Sequence, residues 1–355
     1  MKGLLSTFLI ATTALTGAAQ AQDAGKVFFL LPNTTTIRFE SRDAPFFVEA
    51  LKEIAPNAQV TVQNAQGDPQ LQQRQIEDAI AQGANLIVLT SADANLIAGG
   101  LAAAEAAGVP VVLYDHDAVG GKAEAHVVFD SLAVGQEQGR RAAELIEGLD
   151  KSPVKVARVK GNQGEYGTGQ YEAGQNEFLQ PLIDSGKVEV VCEQYTQNWD
   201  PTLAQSFAED CLTKTGGDVD VFIGMNDGTT GGSVAALISQ GFQPGEKVVT
   251  GGQDATVEAL RYIAQGWQDN SVLKDLKVEA TAAATIVASI LAGDGVPANA
   301  TNGVVNNTYM DVPAVLLPVQ NITLDNLSDV VSAGVWTWAD ICQGIETTEV
   351  CKANL

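Results

Sequence analysis

The stretch VDVFIGMNDGTTGGSVAALISQGFQPGEKVVTGGQDATVEAL, residues 219–260, decides the fold. It reads as strand, helix, strand, helix, with apolar runs of strand length at 219–225 and 248–253. Each strand ends in an amide beside a carboxylate, Asn226-Asp227 and Gln253-Asp254. Parallel strands bring their carboxyl ends to one crevice. Carboxylates accept hydroxyl protons and amides both donate and accept, so these pairs predict a site for a neutral, hydroxyl-rich molecule.

The same alternation of short apolar runs and helical segments extends over most of the chain. It begins with KVFFLLP (26–32) and APFFVEALKEI (44–54), and it starts again after Phe129-Asp130. Short strands that alternate with longer helices indicate parallel sheets covered by helices on both faces. The sequence therefore predicts an α/β fold of two doubly wound lobes with a cleft between them, where small ligands commonly bind.

Charge excludes some classes of partner. The 355 residues include 43 acidic and 20 basic side chains, for a formal net charge of -23. Such a surface repels nucleic acids and anionic membranes. We therefore expect no nucleic-acid partner and interpret the charge as a determinant of solubility.

The N-terminus has the pattern of a secretory signal. Met1-Lys2 is followed by a mostly apolar segment over 4–15 and by the small-x-small site Ala19-Gln20-Ala21. We expect residues 1–21 to be a signal peptide, cleaved after Ala21, and the mature protein to be soluble and exported.

Four cysteines fit an oxidising compartment. They are Cys192, Cys211, Cys342 and Cys351. Three pairings are possible; pairing the first two and the last two closes the shortest loops and is the simplest, but the sequence does not fix the connectivity. No two of them have the C-x-x-C spacing of a zinc or redox site, so a structural role is favoured.

Several segments, in their order and spacing, resemble the periplasmic monosaccharide-binding proteins of ABC importers, which have the type I periplasmic binding protein fold. The resemblance is nearest to xylose-binding and multiple-sugar-binding members and extends to about Trp336. It rests on these segments among others: SRDAPFFVEAL, VPVVLYDHD, NWDPTLAQ, MNDGTTGGSVAAL and GGQDATVEALRYIAQG.

This resemblance implies two lobes joined by three hinge crossings. It places residues 22–129 and 272–314 in the N-terminal lobe, residues 130–271 and 315–335 in the C-terminal lobe, and residues 336–355 in a tail. It also implies a sugar held in the cleft and delivered to an inner-membrane permease by a monomer that is not an enzyme and needs no cofactor or metal. A chemoreceptor or sensor kinase is a further partner that it suggests.

The resemblance implies ten ligand-binding residues, four of which match the family pattern directly. These four are Trp199, Asn226, Asp254 and Lys274. The other positions depart from the pattern. Relatives have an Arg-Trp pair with a nearby Asp at the first position, Asp-Arg at the second and an Asp-Asn-Asn loop at the third. The corresponding residues here are Arg38, Phe39 and Asp43, then Asp115 and His116, and then Glu165.

These departures leave the ligand open between xylose or a similar aldose and a sugar alcohol or other polyol. Replacing Arg by His116 matters most, because a bidentate guanidinium contact to sugar oxygens is lost. Glu165 in its glycine-rich loop is expected to accept a ligand hydroxyl. A carbohydrate-active enzyme is a third reading, since Glu165 and Asp254 are residue types that serve as glycosidase acid and base.

Overall fold

The computed structural model describes residues 25–355, apart from the side chain of Tyr166. The predicted signal peptide, residues 1–21, lies outside the described residues. The strands are β1 Lys26–Leu31, β2 Gln59–Asn64, β3 Leu86–Leu89, β4 Val111–Tyr114, β5 Ala125–Phe129, β6 Val154–Lys160, β7 Val188–Tyr195, β8 Val221–Gly224, β9 Val248–Gly251, β10 Asn270–Leu273, β11 Gly303–Asn306, β12 Asp311–Leu317 and β13 Gln320–Thr323. The α-helices are α1 Ala44–Ile54, α2 Pro69–Ala81, α3 Ala98–Ala107, α4 Ser131–Glu147, α5 Tyr166–Asp184, α6 Pro201–Thr215, α7 Asp227–Ser239, α8 Val257–Gln265, α9 Leu276–Leu291, α10 Ser328–Ser332, α11 Trp338–Cys342 and α12 Glu349–Asn354.

The strands form two sheets with the same winding. In the first lobe the order is β11-β12-β5-β4-β3-β1-β2, and all neighbours are parallel except β11 and β12. In the second lobe the order is β7-β6-β8-β9, and a parallel bridge from Gln253 to Val272 continues it to β10, which pairs with β13. Both orders are doubly wound, which confirms the predicted fold class.

The first sheet is apolar because both of its faces are covered. Every residue of β3, β4 and β5 is buried, as expected for parallel strands with helices on each side. On one face the Phe29 ring makes edge contacts with Phe47 at 5.0 Å and with Tyr114 at 5.2 Å between centroids. This packing fixes the carboxyl ends of β1 and β4, where the candidate site begins.

The chain crosses between the lobes three times, at Asp130, at 274–275 and at 318–319. Two predicted boundaries are corrected. Residues 272–273 belong to β10 and pair with β13 of the second lobe, and residues 315–317 belong to β12 and pair with β5 of the first lobe. In both cases the strand continues its ladder past the predicted boundary, so the crossing comes only where the hydrogen-bonded partners end.

Residues 336–355 are not a separate tail. Ile341 packs in one apolar cluster with Leu260 and Ile263 of α8. Arg261 of α8 donates from Nη2 to the Asp340 carbonyl at 2.6 Å and from Nε to the Ile341 carbonyl at 3.3 Å. The segment is therefore part of the second lobe.

Both short-loop disulfides are formed. Cys192 of β7 is bonded to Cys211 of α6, and Cys342 of α11 is bonded to Cys351 of α12. All four cysteines of the sequence are used in this way. Over residues 25–355, none of the helices has the length and apolar character needed to cross a membrane.

Candidate ligand-binding site

A cavity lies between the lobes, at the carboxyl ends of the strands. It encloses about 550 Å³ of space between atoms, part of it open to solvent. Of the ten predicted site residues, the structure brings nine to its lining. These are Arg38, Phe39, Asp115, His116, Glu165, Trp199, Asn226, Asp254 and Lys274.

Arg38 is the centre of a buried ionic network. Its Nη2 lies 2.7 Å from Asp115 Oδ2, and its Nη1 donates a hydrogen bond to Asp254 Oδ1 at 3.2 Å. Asp254 belongs to the second lobe, so this pair joins the two walls of the cavity. Nη2 has no aligned hydrogen-bond acceptor among the described residues, although its ion pair with Asp115 is short. A ligand oxygen could accept from this group.

Lys274 supplies the second cation, from the crossing between β10 and α9. Its Nζ lies 3.3 Å from Asp115 Oδ1 and 3.6 Å from Asp254 Oδ1. Burial alone lowers the pKa of Lys274, but the charges of Asp115, Tyr171 and Asp254 raise it above its ordinary value. Burial alone likewise raises the pKa of Asp115, yet Arg38 and Lys274 bring it below the usual range. Lys274 and Asp115 are therefore both ionised at neutral pH.

Asp43 was predicted to bind the ligand, and the structure places it elsewhere. It is fully buried behind Arg38, outside the cavity lining, where Oδ2 lies 3.3 Å from Arg38 Nε and Oδ1 accepts from the Tyr114 hydroxyl at 2.7 Å. Burial raises the pKa of Asp43 to about 6, against the opposing charge of Arg38. Asp43 is the last residue of the helical turn Phe39–Asp43, and from there its side chain supports Arg38 instead of facing the cleft.

Glu279 of α9 completes this support. It is fully buried, and its Oε2 lies 3.7 Å from Arg38 Nη2. Burial and the charge of Asp115 raise the pKa of Glu279 well above its usual range. The protonated form is therefore favoured, so Glu279 adds no negative charge to the network around Arg38 and Lys274.

Aromatic rings from both lobes line the cavity. Trp199 is 5% exposed and donates from Nε1 to Glu165 Oε2 at 2.9 Å. Its ring packs on Gly161, where a Cβ atom would come within 2.0 Å of the indole, so glycine is required there. Phe39 is the ring of the first lobe and is 1% exposed. Aromatic faces pack well against the C–H faces of a sugar ring.

Glu165 lines the cavity and is held by two donors of its own lobe. Its Oε2 accepts from Trp199, and its Oε1 accepts from Asn162 Nδ2 at 2.8 Å. Both carboxylate oxygens are thus used by protein donors. Glu165 lines the cavity but mainly fixes the orientation of the indole.

His116 is held by the loop after β3. Its Nδ1 lies 2.9 Å from the Ser91 carbonyl, which fixes the proton on that nitrogen. Its Nε2 lies 3.8 Å from Asp115 Oδ2, and the ring meets Phe39 edge-on at 5.3 Å. His116 therefore offers one ring nitrogen to the cavity, where a guanidinium would offer a bidentate contact.

The second lobe positions its side chains through the backbone. Asn226 is the N-cap of α7, where Oδ1 accepts from the Thr229 amide at 2.8 Å, so Nδ2 is the amide group left for a ligand. Asp227 instead accepts from the Thr256 amide at 2.7 Å and from the Ser271 hydroxyl at 2.6 Å. These contacts tie the ends of β8, β9 and β10 together beneath the cavity.

Three lining residues have left-handed backbone conformations. The φ angles are +56° at Asp115, +56° at Trp199 and +95° at Asp254. Such conformations are costly for residues other than glycine and cluster at functional sites. Their presence at one cavity suggests that side-chain placement there outweighs local backbone preference.

Sequence reasoning missed some lining residues, notably Tyr171 and Gln253. Tyr171 is 7% exposed, and its hydroxyl lies 3.5 Å from Lys274 Nζ. Gln253 Oε1 is buried without a hydrogen-bond partner among residues 25–355, so it can accept from a ligand. Gln253 stands next to Asp254 in the amide and acid pair and could have been found; Tyr171 lies inside α5, where no motif marks it.

No metal centre is evident in the part of the chain that the structure describes. His116 lies between Asp115 and Asp117 in sequence, but no three His, Cys, Asp or Glu side chains within residues 25–355 are arranged to hold an ion. The cavity instead presents hydrogen-bonding groups and aromatic faces.

A model of the periplasmic binding protein domain matches residues 27–295, about three quarters of the chain. The chain belongs to this family. This binding protein is 28% identical over 331 residues to the D-xylose-binding periplasmic protein of Escherichia coli K12, which covers 93% of this chain and 96% of the relative. It is 28% identical over 352 residues to the multiple sugar-binding periplasmic protein of Azospirillum brasilense, covering 96% of this chain and 97% of the relative.

The fold of this binding protein is also found among solved structures. A solute-binding protein of an ABC transporter from Clostridium phytofermentans, solved with bound β-D-glucose, superposes with a TM-score of 0.79 at 24% identity. The match covers 89% of this chain and 99% of that one. At this level of identity the likeness concerns the fold.

Proposed function

We propose that this protein is the substrate-binding component of an ABC sugar importer and binds a monosaccharide, xylose or a similar aldose, in the cavity between its lobes. The observation that carries this proposal is the cavity itself, which lies between the lobes and is lined by buried charged groups, by amides and by aromatic rings from both lobes. The names of the xylose-binding and multiple sugar-binding relatives support this assignment.

The ligand-binding residues follow from this geometry. Trp199 and Phe39 provide ring contacts, Asp115 and Asp254 accept sugar hydroxyl protons, and Lys274 donates. Further donors are Arg38 Nη2 and Asn226 Nδ2, and Gln253 Oε1 is a further acceptor. Charge-assisted hydrogen bonds contribute about 1.5–3 kcal/mol each. A few of them and one stacked ring suffice for micromolar affinity, about -8 kcal/mol.

The proposed mechanism is closure of the lobes. Residues on both walls contact the sugar, so the closed state binds it more tightly than an open state does, and this differential affinity shifts the population. The Arg38–Asp254 pair joins the walls in the closed form. The sugar thus adds further contacts between the lobes to the one that the Arg38–Asp254 pair provides.

The closed form is the species that we expect an inner-membrane permease to recognise. We place the protein in the periplasm, since the relatives are named as periplasmic and the predicted signal at 1–21 would export it. We expect it to act there as a monomer. A chemoreceptor or sensor kinase could read the same closed form. Gel filtration and fractionation of the cell test monomer and compartment.

We propose binding without turnover. Glu165, the residue that a glycosidase reading would use with Asp254, is bonded through both oxygens to Trp199 and Asn162. A hydrolase would release product from an aryl glycoside, whereas a receptor only saturates. Product release by the purified protein would contradict this part of the proposal.

A polyol is the second candidate ligand. It is favoured by His116, whose single free ring nitrogen replaces the bidentate group expected for an aldose. The same cavity and closure mechanism would serve both ligands.

A thermal-shift screen of residues 22–355 against pentoses, hexoses, polyols and inositols separates the candidates. Ligand at 100 times its dissociation constant stabilises by about 2.7 kcal/mol, which raises the midpoint by several degrees. A rise with xylose or glucose supports the aldose assignment. A rise with polyols alone replaces it by the second candidate, and no rise with any compound overturns both.

A further inference from the structure

Outside the cavity, Arg42 of the first lobe lies on the face of Trp336 of the second. The guanidinium carbon is 3.8 Å from the centroid of the indole ring. This is well within the range of about 6 Å for a cation–π interaction, and tryptophan is the most favourable partner. The two residues come from the turn Phe39–Asp43 and from the segment between α10 and α11.

Trp336 is fixed firmly on its own lobe. Its Nε1 donates to the Ala255 carbonyl at 2.9 Å, one residue after Asp254 of the cavity wall. Its ring packs on the apolar cluster that contains Leu260 and Ile341. The Cys342–Cys351 disulfide and Arg261 hold the segment that follows. The indole is thus a rigid platform at the edge of the second lobe.

Arg42 has few competing partners. Its Nη1 donates to the Ser41 carbonyl at 3.2 Å, and its Nε is buried without an acceptor in the described part of the chain. Within residues 25–355, no carboxylate lies within 4.0 Å of its guanidinium nitrogens. The indole face is therefore the nearest partner of Arg42 on the second lobe. The pKa of Asp340 in the same lobe, lowered mainly by hydrogen bonds from Thr337, is lowered further by the charge of Arg42. Separating the lobes would remove both interactions.

We propose that Arg42 and Trp336 form a clasp that is made when the lobes close, so that the C-terminal segment contributes to sugar affinity without touching the sugar. The proposal rests on the proposed function, because it takes ligand-driven closure as the event that forms the clasp. The clasp adds to two neutral contacts between lobes at the rim, from Thr35 Oγ1 to the Asn198 carbonyl at 2.8 Å and from Asn95 Nδ2 to the Gly164 carbonyl at 3.4 Å.

A contact made only in the closed state favours that state, and its loss weakens apparent affinity by the corresponding factor. For a partly buried cation–π pair we expect the dissociation constant to rise about threefold to tenfold. Arg42→Gln should leave the stability of the unliganded protein unchanged, whereas replacing Trp336 also removes its hydrogen bond to Ala255 and its packing within the second lobe.

A double-mutant cycle tests the coupling. Isothermal titration with D-xylose and D-glucose is run on the parent, Arg42→Gln, Trp336→Leu and the double variant, with Trp336→Phe as a variant that keeps the ring. We expect each of Arg42→Gln and Trp336→Leu to weaken binding threefold to tenfold, and the double variant to be no weaker than the worse single one. Arg74→Gln, which removes an exposed charge on α2 of the first lobe, is the matched control and should bind as the parent does. Unchanged affinity in the single variants, or effects that simply multiply, would overturn the clasp.

A cross-linking experiment tests the contact without any sugar. All four native cysteines are in disulfides, so a pair introduced by Arg42→Cys and Trp336→Cys can be joined selectively by a short bifunctional maleimide. Cross-linking traps the closed form whenever it occurs, and mass spectrometry of a digest identifies the link. Its absence contradicts the clasp. If the double-cysteine variant is cross-linked but the parent protein binds no sugar, the contact between the lobes stands and the proposed function is wrong.

Discussion

The two walls of the cavity are built in different ways. On the first lobe, the ionic groups Arg38, Asp43, Asp115 and Glu279 interact mainly with one another in a fully buried network. On the second lobe, a helix cap positions Asn226 and a left-handed backbone positions Asp254, which reaches this network only through Arg38 Nη1 and Lys274 Nζ.

This difference predicts how each wall responds to mutation. Groups on the first wall hold one another in place, so removing one disturbs both stability and binding. Groups on the second wall are placed by backbone geometry, so replacing a side chain there should affect binding while the fold is kept. The four predictions that follow test this contrast.

Arg38→Met should have the largest effect. It removes one of the two buried cations that face Asp115, and breaking such a buried pair costs about 3–5 kcal/mol. We expect a loss of this size in the free energy of unfolding, measured by urea denaturation, together with loss of sugar binding. A variant as stable as the parent would remove the distinction between the walls.

Asp254→Asn should separate binding from stability. Asparagine tolerates a left-handed backbone, so the wall keeps its shape while the charge is lost. We expect sugar affinity to fall about 10-fold to 100-fold, because one or two charge-assisted hydrogen bonds are weakened. The unfolding free energy of the sugar-free protein should change by less than about 1 kcal/mol. Titration calorimetry and urea denaturation of one sample measure both, and unchanged affinity would exclude Asp254 from the site.

Stability should fall with rising pH up to a different limit for each wall. From an ordinary value of 3.8, burial raises the pKa of Asp43 to about 6 and that of Asp227 to about 8, the latter with help from the charge of Asp254. A raised pKa means that the folded state binds the proton more tightly. The associated stability is therefore fully present below pH 3.8 and is lost as pH rises to 6 for Asp43 and to 8 for Asp227.

The limiting slope is about 1.4 kcal/mol per pH unit for each proton. Asp227→Asn should remove a fall in stability that runs from about pH 4 to 8, whereas Asp43→Asn should remove one that ends near pH 6. Subtracting each variant's profile of stability against pH from that of the parent separates the contribution of the mutated residue from those of other titrating groups. Equal effects of both variants between pH 6 and 8, where only Asp227 should contribute, would contradict the assignment.

Glu279→Gln should have the smallest effect. Burial already favours the protonated form of Glu279, and an amide of the same shape mimics it. We expect stability within about 0.5 kcal/mol of the parent and affinity within about twofold. A large loss would mean that Glu279 is ionised and belongs to the charge balance around Arg38.

Much of the fold could be read from the sequence because its signals are local. Apolar runs such as KVFFLLP and the helix 44–54 appear where expected, since period and length decide these elements. Asn226 and Asp254 reach the cavity because strand ends converge in a parallel sheet. The predicted lobe boundaries differ from the observed ones by two or three residues. The length of a strand ladder depends on the neighbouring strand, and no local feature of the sequence indicates it.

The roles of Asp43, Glu165 and Glu279 could not be read in this way. Each depends on contacts between residues distant in sequence, such as Glu165 with Trp199 or Glu279 with Arg38. Whether a carboxylate faces a ligand or supports another side chain is decided by side-chain packing. The same holds for Trp336. No feature of the sequence indicates that this residue packs against α8 and lies beside Arg42.

A crystal structure of the protein with the sugar that gives the largest thermal shift tests the central claim most directly. The account predicts one sugar between the lobes, with a ring face on Trp199 and hydroxyls within hydrogen-bond distance of Asp254, Lys274 and Asp115. A sugar bound outside this cavity, or one that contacts a single lobe of a closed protein, would contradict it.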